Sequence, residues 1–280
     1  MKITSKMLNH YFLEKSTIEE NLNPINYKRF NKLNFIFDCI ENPDMIEKYK
    51  NRLYDRDRNN NTCLIFYLIY SENPDDNILK YLSHNIKQVN CNGMTALMIY
   101  SAIKKNPEKR VIEFLREEMG LKDSFGKTAL YYLLRNKCND INIIKLFELE
   151  FSLHISRSEY YLSTHLMTYM KYSDEIKFEI VRLFSRLIGF SNERESALSL
   201  YLVREEVDEE IVVYLKSESN IEFRDGRTPL IIYLSTKNPQ LNIIRNLITI
   251  DYNKYKCKAL TTYILNNRYP RSEIVDFLNK

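Results

Sequence analysis

A ten-residue phrase returns along this chain and limits what the chain can fold into. Cys91–Tyr100 reads CNGMTALMIY, Phe125–Leu134 reads FGKTALYYLL and Asp225–Leu234 reads DGRTPLIIYL. Each copy contains a Gly, which marks a turn because Gly reaches positive φ without a Cβ clash. The Thr two residues after the Gly is suited to cap a helix, and the Leu that follows is an apolar anchor. One module of turn and helix is therefore written several times.

Two markers fix the period of this module. The anchor leucines recur in steps of 30 to 36 residues, at Leu33, Leu64, Leu97, Leu130, Leu166, Leu198, Leu230 and Leu260. Asn-Pro keeps the same register at Asn42-Pro43, Asn73-Pro74, Asn106-Pro107 and Asn238-Pro239, and Tyr269-Pro270 takes its place in the last copy. The Pro falls nine or ten residues after the anchor Leu. Eight copies therefore fit between about residue 30 and residue 280.

With these motifs the chain resembles the ankyrin-repeat family, whose pattern is a turn with Gly, then Thr-Pro-Leu-His, and two helices. The segments that carry the likeness are Gly93–Leu97, Gly126–Leu130 and Gly226–Leu230. No copy has the His, and six copies have Tyr three residues after the anchor Leu, where the family usually has Ala. Tyr-rich, Ala-poor repeats are similar to those of divergent ankyrin proteins from large DNA viruses and unicellular parasites. The resemblance implies an all-α ankyrin-repeat solenoid of about eight helix–turn–helix repeats with short β-turn or hairpin tips.

The pattern also predicts the helices within each repeat. First helices are predicted at 62–70, 95–103, 128–135, 164–170, 196–203 and 228–234. A second helix should follow each Asn-Pro, with Asn as the N-cap and Pro at the first helical position. The repeated Tyr lies on the same side as the anchor Leu, which favours a core stripe over a surface stripe. Each Tyr hydroxyl should then reach a loop or water.

Two segments depart from the repeat. In residues 1–29, Met7, Leu8, Tyr11 and Phe12 have helical spacing and predict an amphipathic helix. We interpret 1–29 as an N-terminal helical cap on the array of residues 30–280, because such arrays need capped ends; a docking helix is the alternative. Ser152–Ser163 is three residues longer than its equivalents and has no Gly. It is a tolerated insertion, a break in the curvature of the array, or a contact loop.

Composition excludes several classes of protein. The 41 basic and 37 acidic residues give a net charge of +4, which is too balanced to indicate a nucleic-acid-binding protein. The five cysteines are scattered and never form CxxC, which favours free thiols in a reducing compartment. The sequence has no apolar run of transmembrane length and no secretory signal at its start. We therefore expect no membrane association and a cytoplasmic location, with the nucleus left open.

The sequence carries no catalytic constellation. The four histidines lie in different repeats, without HExxH or zinc-ligand spacing, and no phosphate-binding Gly loop or GxSxG is present. We therefore predict that the protein is not an enzyme and expect no cofactor, no metal and no small-molecule ligand.

The family resemblance implies that the chain binds another protein. Stacked repeats would place the turn tips and the first-helix face on one concave side, where Tyr and Arg are typical of binding hot spots. The predicted contact residues are Arg58, Asn59, Asn92, Met94, Phe125, Lys127, Tyr160, Tyr161, Arg224, Asp225 and Arg227 at the tips, and Tyr70, Arg135 and Tyr172 at the ends of first helices. Solvated side chains or Arg–Asp pairs between tips are the alternative interpretation.

Two functions follow from this prediction. The first is a scaffold or adaptor that binds one partner protein, whose identity the sequence does not give. The second is a stably bound regulatory subunit or inhibitor of a large protein or ribonucleoprotein assembly, the one setting in which nucleic acid would be met. In that setting Lys104-Lys105, Lys109-Arg110 and the segment Lys48–Arg58 would contact phosphates.

Overall fold

The helices of this chain come in pairs, as the repeat predicts. The computed structural model describes residues 32–155, 163–249 and 252–280, and within these ranges there are eight helix pairs. The chain divides into two compact units, residues 1–136 and 137–280. The predicted all-α fold is therefore confirmed. The predicted N-terminal cap, residues 1–29, lies outside the described residues.

The bounds of the elements follow the repeat register. The first helices are Phe35–Glu41, Cys63–Tyr70, Ala96–Ile103, Ala129–Arg135, His165–Tyr172, Ala197–Leu202, Pro229–Leu234 and Tyr252–Asn266. The second helices are Pro43–Arg52 (a 3₁₀ helix), Asp76–Tyr81, Lys109–Phe114, Ile141–Lys145, Phe178–Leu183, Glu209–Tyr214, Leu241–Leu247 and Ser272–Leu278. Short 3₁₀ turns follow five of them, at Ser83–Asn85, Arg116–Glu118, Glu148–Glu150, Ser185–Leu187 and Lys216–Glu218. Strands His154–Ile155 and Ser163–Thr164 pair antiparallel, so the ends of the long segment Ser152–Ser163 meet as a hairpin.

Each regular first helix begins at a hydroxyl cap. The hydroxyl oxygen accepts the backbone N–H of the third helical residue at 3.1–3.5 Å. The capping residues are Thr62, Thr95, Thr128, Thr164, Ser196 and Thr228. The bond satisfies one of the free N–H groups at a helix start and fixes where the helix begins.

The repeated Tyr joins the two helices of a repeat. Six such rings are at most 3% exposed, so the predicted core position is confirmed. Each hydroxyl accepts the backbone N–H of the residue that caps the second helix, at 2.6–3.0 Å: Tyr67 from Asp75, Tyr100 from Glu108, Tyr169 from Lys177, Tyr201 from Asp208, Tyr233 from Gln240 and Tyr263 from Arg271. A large ring thus fills the space between helices while its polar end is satisfied at the loop.

The helices form layers within each unit. In the first unit the first helices contact one another in chain order, from Phe35–Glu41 to Ala129–Arg135. In the second unit the same order runs from His165–Tyr172 to Tyr252–Asn266, and the second helices from Ile141–Lys145 to Leu241–Leu247 also contact in sequence. Seven of the eight anchor leucines are at most 4% exposed, and Leu260 is half-buried. The side chains buried at these contacts form the core. Helices this short are not stable alone, so each one depends on its neighbours.

The predicted role of Asn-Pro is wrong in three repeats. Asn42 does cap its helix, and its side chain accepts the N–H of Asp44. In the other three the second helix starts later, and its N-caps are Asp75, Glu108 and Gln240, each directly after the Pro. The Tyr hydroxyl on the cap's N–H decides this position. The Pro therefore lies in the loop before the helix.

None of the helices in the described ranges combines the length and apolarity that crossing a bilayer would take. All five cysteines are free thiols, and Cys39, Cys63 and Cys138 are buried.

Candidate protein-binding surface

The turn tips of neighbouring repeats are joined by backbone hydrogen bonds. In the first unit the N–H of Cys91 donates to the carbonyl of Asn59, and the N–H of Ser124 donates to the carbonyl of Asn92, both at 3.0 Å. In the second unit the N–H of Arg224 donates to the carbonyl of Glu193 at 2.9 Å. Each unit therefore holds its own tips in a fixed register.

Gly93 is required for this close approach. Its φ is +73°, and a Cβ at this position would lie 2.8 Å from the backbone nitrogen of Ser124 in the next tip. A side chain would meet both a backbone clash and a strained conformation. The Gly of the motif thus serves the contact between tips as well as the turn.

In the described tips of the first unit, a polar residue seven positions before the anchor Leu closes the turn. One side-chain oxygen accepts the N–H groups two and four residues ahead at 2.8–3.0 Å, and the three residues are Asp57, Asn90 and Asp123. Such bonds are typical of Asn and Asp in turns. These bonds were not predicted from the sequence, although an Asn or Asp at a constant distance from the Leu was the available signal.

The predicted tip residues of the first unit differ in how much of each side chain is exposed. Arg58 and Asn59 are exposed, Phe125 is 56% exposed, and Asn92 and Lys127 are half-buried. Met94 was predicted at the tip surface, and this is wrong. It is 4% exposed and its N–H bonds to Asn90, because the chain turns inward between the Gly and the capping Thr.

The half-buried Lys127 and the exposed Phe125 form a pair of a cation and an aromatic ring. The Lys127 ammonium lies 5.6 Å from the centroid of the Phe125 ring and 5.0 Å from that of Tyr131. Both distances allow cation–π attraction. The contacts hold the positive group beside a large apolar surface.

At the far ends of the first helices, Tyr70, Arg135 and Tyr172 are half-buried. The Tyr70 ring lies 5.0 Å from that of Phe37 and 4.6 Å from that of Phe66, so it belongs to an aromatic cluster. These three side chains are therefore only partly accessible to solvent.

In the second unit the tip charges pair with one another. Arg224 contacts Glu193 at 3.0 Å, and Arg227 contacts Asp225 at 2.6 Å. The Arg227 backbone N–H, with the guanidinium beside it, holds the pKa of Asp225 below its usual range. The alternative of paired tips is therefore realised here. Tyr160 and Tyr161 lie outside the described residues.

Two buried glutamates each accept backbone N–H groups from residues before and after a tip. Glu118 is fully buried, and its carboxylate accepts the N–H of Lys87 at 2.9 Å and of Leu97 at 2.6 Å. Glu218 repeats this arrangement with Gly189 at 3.0 Å and Leu198 at 2.7 Å. Burial raises the pKa of both carboxyls. The signal for these residues was weak, because a Glu near the end of a helix ordinarily faces solvent.

The described residues include one small cavity and one open groove. An enclosed cavity of about 10 Å³ beside Ser219 and Thr228 has space for one water molecule, and the buried Ser219 hydroxyl lacks a partner. An open groove lies between Pro43–Arg52 and Asp76–Tyr81. In the ranges that the structure describes, no group of three or more His, Cys, Asp or Glu could hold a metal ion.

Several apolar residues are exposed that the sequence pattern did not predict. The most exposed are Tyr54 at 73%, Val203 at 58%, Leu149 at 57%, Leu265 at 79% and Tyr269 at 81%. They lie in turns, in a short 3₁₀ turn and at helix ends, and exposed apolar residues are normal on a protein surface.

Comparison with known proteins places this fold. Residues 58–155 match the family model for ankyrin repeats (3 copies). The crystal structure of the ankyrin repeat domain of Bcl-3, a member of the IkappaB protein family, is similar with a TM-score of 0.52. That match covers 76% of this chain and 96% of the other, at 12% sequence identity. No curated protein matches the chain by sequence.

Residues 58–155 thus match ankyrin repeats by sequence, and a larger part of the chain shares the fold of an ankyrin repeat domain. The presence of ankyrin repeats supports the interpretation of this chain as a module for protein–protein interaction.

Proposed function

We propose that the chain is a non-enzymatic scaffold or adaptor, located in the cytoplasm, that binds a partner protein through its turn tips and first-helix ends. The proposal rests mainly on Phe125. A large aromatic ring is 56% exposed at a tip that three backbone hydrogen bonds and an Asp side chain hold in place. Aromatic side chains on rigid supports bury a large area on binding and lose little entropy.

The alternative is a stably bound regulatory subunit or inhibitor of a large protein or ribonucleoprotein assembly, and its ribonucleoprotein form receives less support. Its phosphate contacts would need free basic groups, but Arg110 pairs with Asp76 and Glu108, and Lys109 pairs with Glu113. The Lys104 ammonium is half-buried and donates to the carbonyl of Ser71. These side chains are already engaged within the protein.

Capture of the native partner tests the proposed surface. The parent chain and Phe125→Ala would be used as baits in lysate of the native source, and the captured protein identified by mass spectrometry and purified. Leu149→Ala is the matched control, because Leu149 is equally exposed at 57% but follows a second helix. We expect the Phe125 variant to bind the purified partner at least about tenfold more weakly, the loss of a hot spot, and the control to bind as the parent does.

The second unit gives a further comparison. A double Arg224→Ala, Arg227→Ala variant removes two tip cations that are paired inside the protein. If this variant and Phe125→Ala both bind like the parent while remaining folded, the tips are not the binding surface. The second-helix side or residues 1–29 would then be examined by the same assay.

A further inference from the structure

The tips of the two units differ in how their charges are used. In the described tips of the first unit, the carboxylates of Asp57 and Asp123 accept hydrogen bonds within their own repeats. Asp123 is 7% exposed and accepts two backbone N–H groups and, at 2.5 Å, the hydroxyl of Tyr132. Asp57 accepts two backbone N–H groups and the side-chain amide of Asn61. Neither carboxylate is turned toward the basic side chains at these tips.

Two basic side chains of the same tips reach the surface. Arg58 is exposed, and the ammonium of the half-buried Lys127 lies beside the rings of Phe125 and Tyr131. The three first helices beside these tips are Cys63–Tyr70, Ala96–Ile103 and Ala129–Arg135. None of these three helices contains an acidic residue. We name Arg58, Phe125 and Lys127 the basic tip surface. It combines outward positive charge with one exposed apolar ring.

We propose that the basic tip surface binds an acidic segment of the partner protein, in which carboxylates stand beside apolar side chains. This inference rests on the proposed function and names the chemistry of the partner. A carboxylate that reaches the Lys127 ammonium arrives next to the Phe125 ring, so an apolar neighbour in the partner is buried at the same time. A charge-assisted hydrogen bond at the edge of an apolar contact is the stronger kind.

The backbone of these tips argues against a phosphate group as the ligand. Phosphate sites commonly use free backbone N–H groups. Here the N–H groups of Asn92, Met94, Phe125 and Lys127 already donate to Asn90 or Asp123. The N–H of Ser124 donates to the neighbouring tip. The tips therefore offer side-chain charge, which suits carboxylates, and no amide cradle.

A pair of peptide probes tests the inference. One is a short fluorescein-labelled peptide in which Glu alternates with Leu, and the other has Gln in place of Glu. Fluorescence anisotropy with the full chain should show about tenfold tighter binding of the Glu peptide, which salt then weakens.

Charge-reversed variants locate the binding. Lys127→Glu and Arg58→Glu should each lower the affinity for the Glu peptide about fivefold or more. Lys237→Glu and Arg194→Glu are the matched controls, since both residues are exposed in the second unit and the net charge changes equally. Circular dichroism of each variant confirms that it is folded, and the controls should bind like the parent.

Three results would overturn the inference: equal binding of both peptides, no binding of either, or equal losses in the controls. Tighter binding of a single-stranded RNA probe to the same residues would also overturn it, in favour of phosphate. If the peptides fail while Phe125→Ala still weakens capture of the native partner, the proposed function stands and only the acidic segment is wrong.

Discussion

At the residue scale, the repeated Tyr shows how one side chain sets both packing and a helix start. The sequence predicted its burial, because Tyr and the anchor Leu share a helix face. It did not predict the bond from the hydroxyl to the N-cap of the second helix. That partner is seven or eight residues away along the chain, and only the folded loop brings it to the hydroxyl.

Removal of one such hydroxyl should destabilise the protein. In Tyr100→Phe the N–H of Glu108 loses its acceptor at 3.0 Å beside a buried ring. We expect a loss of about 1–2 kcal/mol in the free energy of unfolding, since a partly buried donor is left unsatisfied. Urea unfolding measures it, with Tyr54→Phe as the control because Tyr54 is 73% exposed. Equal stability of both variants would show that the bond contributes nothing.

Glu118 offers a second residue-scale prediction. Glu118→Gln places an amide N–H₂ against an N–H donor, from Lys87 or Leu97, and should destabilise by about 1–3 kcal/mol. Glu117→Gln is the neighbouring control, because its exposed ion pair with Lys87 contributes little. Urea unfolding of both variants at one pH separates the buried carboxylate from the exposed one.

The pH dependence of this loss has a definite sign. Burial raises the pKa of Glu118 in the folded state, so the folded protein binds the proton more tightly than the unfolded chain. Stability from this group is present below the unfolded pKa and is lost as pH rises through the folded pKa. The difference between parent and Glu118→Gln should therefore be larger near pH 4.5 than at neutral pH. A larger difference at neutral pH would mean that the hydrogen bonds outweigh burial.

The candidate surface was predictable only in part at this scale. The motif predicted where the tips lie, and Phe125, Arg58 and Asn59 are exposed there. It could not predict Met94, because one inward turn of the backbone moves a side chain from solvent to core. The ion pair between Arg224 and Glu193 joins neighbouring repeats, so its formation depends on the distance between tips.

At the element scale, the first helices were predicted within about two residues, because a hydroxyl cap and an apolar run define them locally. The second helices were predicted less well. Asn-Pro is a plausible start on its own, but the Tyr hydroxyl moves the N-cap to the residue after the Pro. In the last repeat, without Gly or Thr-Ala-Leu, the first helix begins already at Tyr252.

Two Gly-to-Ala changes measure the contact between neighbouring tips. Gly93 and Gly189 both have positive φ, but a Cβ at Gly189 would meet nothing within 4 Å. Gly189→Ala should therefore cost only the conformational strain, about 1–2 kcal/mol. Gly93→Ala should cost clearly more, because its Cβ would also collide with the backbone of Ser124. Chemical denaturation of both variants gives the difference, and equal losses would show that the tips yield without cost.

At the scale of the whole molecule, the repeats are not equally secured. In a repeat protein each unit depends on its neighbours, so a weak junction becomes a local minimum of stability. The tips of the first unit are closed by Asp57, Asn90 and Asp123, each with two backbone N–H groups. In the long segment Ser152–Ser163 the equivalent position, seven residues before Leu166, is a Glu. Its longer side chain is not among the residue types that close such turns, which are Asn and Asp and, more weakly, Ser and Thr.

Hydrogen exchange followed by mass spectrometry should reveal this difference. Amides in residues 150–165 should exchange faster than those in residues 95–130, because the long tip has no turn Gly and no Asn or Asp at the closing position. Asp123→Glu supplies the control, since it gives a regular tip the same closing residue at unchanged charge and should speed exchange in residues 122–128 while other tips keep their rates. Equal protection of both segments in the parent would mean that the hairpin between His154–Ile155 and Ser163–Thr164 secures the long tip as firmly as the side-chain bonds secure the regular ones.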